Sequence, residues 1–214
     1  MSNYENLIRI MLVDDHAVVR AGLRRLIEHD TNFRVCAEAE SAERAYQLFG
    51  EQAPDMTIMD LSMPGIGGLE GIKRIVTRYP EAKIVVLSIH QEAVFATQAI
   101  KAGAKGYVSK SGLTEELIKA INWVLAGNTY LGVELSNKIA LEISQPTGDL
   151  IRDLSGREFE ILRMLLEGLE LNQIANNINI SLKTAANYQT LIKQKLGVKS
   201  AIELVRLAMK SGLI

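Results

Sequence analysis

The sequence predicts an α/β domain built on a mostly parallel, doubly wound sheet, followed by a small all-helical domain. Two observations carry this reading. Five short apolar runs alternate with longer segments of helical spacing over the first 127 residues, and from Leu154 onward the pattern is helical alone. A third supports it: Ser144-Gln-Pro-Thr-Gly-Asp149 between the two parts is turn and linker chemistry. The 214 residues fit two small domains at about 150 residues each or fewer. We place the boundaries at 1–130, a linker at 131–149, and 150–214.

The apolar runs are Ile8–Val13, Arg34–Ala39, Met56–Met59, Lys83–Ser88 and Gly106–Ser109. Strands buried on both faces read as continuous apolar runs, and Ile10-Met-Leu-Val13 and Ile84-Val-Val-Leu87 do so. Between them, Val19, Leu23 and Leu26–Ile27, and later Leu69, Ile72 and Ile75–Val76, step at helical intervals. Leu117, Ile121 and Val124–Leu125 form a further stripe, with Thr114 as its expected cap and Gly127 as its stop. Strand–helix repeats connect by right-handed crossovers, which places helices on both faces. Leu135, Ile139 and Ile143 mark a short helix in the linker.

In the second part, Ser155-Gly-Arg-Glu158 is a capping box that opens a helix carrying Phe159, Leu162 and Leu165–Leu166. Leu171 to Asn177 is a short second helix, and Asn179 suits a left-handed turn. Ser181 caps a third helix that runs to Leu196 and stops at Gly197. Ser200-Ala-Ile-Glu203 is a second capping box, opening a helix with Leu204, Leu207 and Ala208 on its apolar face. Two helices joined tightly and framed by two others read as a helix-turn-helix domain.

Composition excludes several classes. Hydrophobic residues make up 48% and charged residues 23%, the balance of a folded globular chain. The one cysteine, Cys36, permits neither an intrachain disulfide nor a Cys-based zinc site. No apolar run approaches the roughly 18 residues of a membrane span, and the polar start does not read as a signal peptide. No membrane partner and a cytoplasmic location are therefore expected. Residues 1–149 carry 15 Lys and Arg against 19 Asp and Glu, whereas residues 150–214 carry 9 against 6. An acidic first part and a mildly basic second part point to different tasks.

A parallel open sheet puts its site at the carboxyl ends of its strands. Those ends hold Asp14 and Asp15, Asp60, Ser88 and Lys110. Carboxylates that converge in one cleft repel unless a cation sits among them, and hard oxygens favour Mg²⁺. Metal and lysine neutralise phosphoryl oxygens while a carboxylate attacks phosphorus. The set contains no hydrolase triad. Gly65-Ile-Gly-Gly-Leu-Glu-Gly71 fails the dinucleotide fingerprint because Glu70 stands at its third glycine position. Met56, Met59, Met63 and Cys36 read as packing residues, and Trp123 as either core or subunit contact.

The segments Val13-Asp-Asp-His16, Met59-Asp-Leu-Ser-Met-Pro-Gly65, Leu87–Ser88 and Gly103-Ala-Lys-Gly-Tyr-Val-Ser-Lys110 resemble the receiver domain of bacterial two-component response regulators. The resemblance covers about residues 7 to 127. It implies a flavodoxin-like five-stranded sheet with Asp60 as phosphoacceptor. It also implies a Mg²⁺ site at Asp14, Asp15, Asp60 and the Ser62 backbone carbonyl, and a phosphoryl contact from Lys110. Ser88 and Tyr107 would form a switch pair whose ring moves inward on activation. Leu154-Ser-Gly-Arg-Glu158, Ser181-Leu-Lys-Thr184 and Ile192-Lys-Gln-Lys-Leu-Gly-Val198 resemble the LuxR-type helix-turn-helix of the NarL/FixJ regulators. Together they imply a promoter-binding homodimer driven by a sensor histidine kinase, and no enzyme beyond the receiver's own phosphorylation and dephosphorylation.

The chain departs from the family pattern at Gly67, at Ala186 and at the start of the scaffold helix, Glu170-Leu-Asn172, which has no Ser cap or lysine. Gly67 replaces a customary acidic residue or Asn, and Ala186 replaces a customary basic residue in the DNA-reading helix. Periodicity places Ala185, Tyr188, Ile192 and Leu196 on the inner face of that helix. Lys183, Ala186, Asn187, Thr190, Lys193 and Gln194 take the outer face. Asn187 is suited to adenine, Thr190 to thymine, and Lys183 and Lys193 to phosphates. Leu204, Leu207 and Ala208 are the expected dimer contacts. A phosphorylation-switched protein adaptor with weak or no DNA binding is the alternative, motivated by the low basic content of residues 170–190. An Asp-nucleophile phosphatase is disfavoured, because no cap domain is present.

Overall fold

The computed structural model describes residues 7–143, 150–151, 153–211 and 213–214, with backbone only for 112–115 and 141–143. The first part alternates β1 (Ile8–Val13), α1 (Ala17–Ile27), β2 (Phe33–Ala39), α2 (Ala42–Gln52), β3 (Met56–Met59), α3 (Gly67–Arg78), β4 (Ile84–Ser88), α4 (Ala93–Ala102), β5 (Gly106–Ser109) and α5 (Leu113–Leu125). The strands run parallel in the order β2-β1-β3-β4-β5, as a doubly wound sheet requires. Register then does the work of assembly. Val13 pairs with Met59, Met59 with Val86, and Ser88 with Ser109. The strands therefore finish at nearly one level, and Asp14, Asp60, Ser88 and Lys110 emerge side by side.

Expectation and structure differ at β6 and at Thr114. A sixth strand, β6 (Tyr130–Leu131), pairs in parallel with β5. Two residues are too few to show a period of two, so only the open edge of β5 reveals it. α6 (Val133–Ile143) follows as the short helix expected from Leu135, Ile139 and Ile143; residues 144–149 lie outside the described residues. Thr114 falls inside α5, which begins at Leu113, and its side chain is outside those described.

The sheet separates two apolar layers. Leu23 and Ile27 of α1 and Leu117, Ala120 and Ile121 of α5 pack on one face, against Ile10, Ile58 and Val85. On the other face α2, α3 and α4 pack against Met11, Met59 and Val86. That second layer continues without a break into the C-terminal helices, through Ile151, Leu154 and Phe159.

The second part consists of α7 (Gly156–Leu166), α8 (Leu171–Asn177), α9 (Leu182–Lys195) and α10 (Ala201–Lys210). Ser155 Oγ accepts the Glu158 N–H at 3.3 Å, and Glu158 Oε2 accepts the Ser155 N–H at 2.7 Å, closing the capping box. Lys195 Nζ reaches the same carboxylate at 2.8 Å, which ties α9 to the start of α7. Burial opposes the charge of Glu158, but the hydrogen bond from Lys195 and those at Ser155 hold it below the usual carboxylate range. Asn179 takes φ +53° between α8 and α9, where Asn tolerates the left-handed region. At α10, Ser200 Oγ caps Glu203, but the Glu203 carboxylate takes the N–H of Lys199 instead of Ser200, so the second box is only half formed.

Gly71 shows how closely α2 and α3 approach. A Cβ built there would lie 2.6 Å from the Ala42 methyl. Gly71→Val should therefore overpack this contact and destabilise the chain by about 1–3 kcal/mol, measured as a lower urea midpoint.

Candidate functional sites: an acidic cleft and an exposed helix

Asp14 and Asp60 are buried, 1% and 4% exposed, at the ends of β1 and β3. Lys110, just past β5, bridges them: Nζ donates to Asp14 Oδ2 at 2.7 Å and to Asp60 Oδ2 at 2.9 Å. Burial works against the lysine's charge, but the hydrogen bonds and the two negative charges outweigh it and hold Lys110 above the usual range. Local turns aim the carboxylates. Asp14 Oδ1 accepts the N–H of His16 at 2.8 Å, and Asp60 Oδ1 accepts that of Ser62 at 3.3 Å. Each is an Asx turn that leaves the second oxygen pointing at the lysine.

Asp15 sits beside Asp14 and is more exposed; its Oδ1 lies 2.8 Å from His16 Nδ1. That oxygen is buried without a hydrogen-bond partner. Among the described residues, Asp14, Asp15 and His16 bring one ligand atom each within 4.8 Å of one another. The donor set is two carboxylate oxygens and one imidazole nitrogen, and its carboxylates suit a hard divalent cation. Among the described residues, Lys110 provides the only positive charge that directly joins Asp14 to Asp60.

Ser88 and Tyr107 meet at the backbone of His90, with the ring inside. Tyr107 is fully buried, its hydroxyl donates to the His90 carbonyl at 2.9 Å, and burial pushes its pKa up. Ser88 Oγ accepts the His90 N–H at 3.2 Å. His90 thus supplies the backbone acceptor that holds the ring inward. The sequence reading missed His90. Its Nε2 lies 3.4 Å from Ser62 Oγ, and its ring stacks on Phe95 at 3.9 Å. Burial, followed by the nearby Arg163, lowers its pKa. Phe95 in turn meets Phe159 of α7 edge-on at 5.1 Å. Position alone was the available signal: His90 lies two residues past Ser88, at the mouth of the cleft.

On α9, Lys183, Asn187, Thr190 and Gln194 are exposed, and Ala186 and Lys193 half-buried, while Ala185, Ile192 and Leu196 are buried. Thr190 Oγ1 donates to the Ala186 carbonyl at 3.0 Å, so its hydroxyl is partly engaged within the helix. Packing against the receiver leaves this face open. Of the expected dimer contacts, Leu204 and Ala208 are buried in their own domain and Leu207 is half-buried. The apolar stripe of α10 is its inward face. The side left outside carries Ile202 and Met209, 66% and 62% exposed, and Val205. Trp123 is exposed on α5.

Removing the bridging cation strands two buried carboxylates. Lys110→Met should cost about 2–4 kcal/mol in urea unfolding without divalent metal. Part of that loss should return when a divalent cation is added.

Residues 10–122 match the family model described as response regulator receiver domain, and residues 152–208 match bacterial regulatory proteins, luxR family. The chain is 36% identical over 209 residues to the response regulator UvrY of Escherichia coli (strain K12), covering 97% of this chain and 96% of that protein. It is 38% identical over 208 residues to the transcriptional activator protein ExaE of Pseudomonas putida, covering 96% and 97%. Among solved structures, RcsB from Salmonella enterica serovar Typhimurium, bound to promoter P1flhDC in the presence of the phosphomimetic BeF3-, is 27% identical with a TM-score of 0.71, covering 94% of this chain and 98% of that one. Receiver sheet, acidic cleft and LuxR-type helices on one chain have one common explanation: the protein belongs to the two-component response regulators of the NarL/FixJ type.

Proposed function

We propose that this regulator takes a phosphoryl group on Asp60 and reads promoter DNA with α9. The observation that carries the first half is Lys110, whose ammonium lies within hydrogen-bond distance of both Asp14 and Asp60. A phosphohistidine on a sensor histidine kinase fits as donor. An Asp60 carboxylate oxygen attacks phosphorus, the P–N bond breaks, and the imidazole leaves with the electron pair. Lys110 then neutralises phosphoryl oxygens beside the carboxylate it already contacts. Asp14, Asp15, Asp60 and the Ser62 carbonyl would hold Mg²⁺, which when bound supplies charge neutralisation for the same oxygens. The Ser88 hydroxyl, which accepts the His90 N–H, faces the new anion as a donor. This is self-modification in a receiver, within a cytoplasmic DNA-binding protein.

The open face of α9 supports the second half. Lys183 and Lys193 contact phosphates and Asn187 a base edge, with Ala186 packed between them. Two copies joined through Ile202, Val205 and Met209 of α10 would present two such helices to half-sites about one helical turn apart. The related RcsB, solved on promoter DNA with a phosphomimetic, supports this reading. The units are a receiver at 1–130, a connection at 131–149 and the DNA-binding domain at 150–214. The low basic content around Ala186 favours a second reading, a switched protein adaptor.

Incubation with acetyl phosphate and Mg²⁺ should add one phosphoryl group to the wild-type chain and none to Asp60→Asn, read by intact mass. Promoter fragments should be retarded more strongly after phosphorylation. Lys183→Ala should flatten the logarithmic salt dependence of binding by about one unit. Loss of all retardation at low salt selects the adaptor.

A further inference from the structure

Two carboxylates grip one receiver turn. Residues 65–67 precede and open α3, with Gly65 at φ +88° and Gly67 at φ +74°. Glu43 of α2 holds one side, its Oε1 accepting the Ile66 N–H at 3.0 Å. Glu160 of α7 holds the other: a Cβ built on Gly67 would collide with its carboxylate. Only glycine suits this position, for both conformation and space. This gives Gly67 a role that its departure from the family pattern did not reveal.

Glu160 is poorly compensated there. It is buried, and its Oε1 has no hydrogen-bond partner. Its Oε2 is 3.4 Å from Arg157 Nη1, the long limit of a hydrogen bond. That guanidinium is divided: Nη1 also donates to the Gly65 and Ile66 carbonyls at 3.3 and 3.2 Å, and Nη2 to the Ile178 carbonyl at 2.7 Å. The other charged groups facing Glu160 are Arg163 on α7 and Glu70 on α3. Arg163 is paired with Glu167, and Glu70 with Arg74. The arginines favour an ionised Glu160, while Glu70 opposes it and Glu43 adds negative charge to the turn. Burial outweighs them all and pushes the Glu160 carboxyl up to about 8.

The contact is also the seam between the two domains. Gly65 N–H donates to the Asn177 carbonyl at 2.8 Å, and Gln98 Nε2 donates to the Ile151 and Leu154 carbonyls at 3.1 and 3.3 Å. We propose that Glu160 is a proton-dependent latch: in its neutral form it docks the helix-turn-helix domain on the receiver's glycine turn, and loss of the proton releases that domain.

The sign follows from linkage. A released Glu160 returns to water and to an ordinary carboxyl value near 4.5, so docking takes up a proton. Docking is complete below that value, where both states carry the proton. It weakens as pH rises from there to about 8, by about tenfold per pH unit, and no further beyond.

Small-angle X-ray scattering of the full chain between pH 5.5 and 8.5 tests this, with circular dichroism confirming that each variant is folded. The wild-type radius of gyration should grow with pH. Glu160→Gln, neutral throughout, should stay compact, and Gly67→Ala, which fills the slot, should be extended at every pH. The ¹³C signal of the Glu160 carboxyl should titrate well above the ordinary glutamate range. A pH-invariant wild-type radius, a glutamine variant that opens like wild type or stays open throughout, a compact alanine variant, or an ordinary Glu160 titration each overturns the latch.

Discussion

One ammonium group lies between two buried carboxylates, and much of the molecule serves to put it there. Lys110 touches Asp14 and Asp60 from a strand two places across the sheet from β3. Like charges at such close range are unfavourable in a low-dielectric pocket unless a cation joins them. The parallel register satisfies that condition, because β1, β3, β4 and β5 finish at nearly one level. The Asx turns at His16 and Ser62 then aim the oxygens. The fold and the chemistry thus meet in one constraint: the strands must be in register, or the charges have no partner.

A continuous set of contacts leads away from this cleft. Asp60 orients Ser62, Ser62 reaches His90, and His90 stacks on Phe95, which meets Phe159 of the second domain. Tyr107 braces the same His90 through its carbonyl. These contacts place Asp60 within a few side chains of the interdomain seam. The Glu160 slot lies along a second route, because Gly68 N–H bonds to the Leu61 carbonyl, next in chain to Asp60. Both routes end on α7, whereas the outer face of α9 is uncovered. Control at this seam would act on the position and freedom of the DNA-binding domain, while the reading surface stays open.

The strand runs, the helix stripes, the Ser155 and Ser181 caps and the inner face of α9 were legible from sequence because each depends on local spacing. The cleft residues were legible because a parallel sheet gathers its strand ends. The sixth strand was not, since two residues carry no period. His90 and Glu160 were not, since their importance comes from what lies across from them. The neighbour of the α10 stripe was not legible for a related reason. An amphipathic stripe at Leu204, Leu207 and Ala208 shows that a helix packs, but not against which neighbour. Here its own domain covers it.

The amino-acid order by itself determined the two-part architecture, the strand-end chemistry and which side of α9 faces outward, because these follow from periodicity and from rules of chain connection. Only the tertiary structure decided that the two apolar layers merge across the domain seam. It alone showed that Tyr107 rests inward on a backbone carbonyl, and that Glu160 lies bare against Gly67. Those outcomes depend on desolvation and on partners distant in sequence, and no local pattern encodes either.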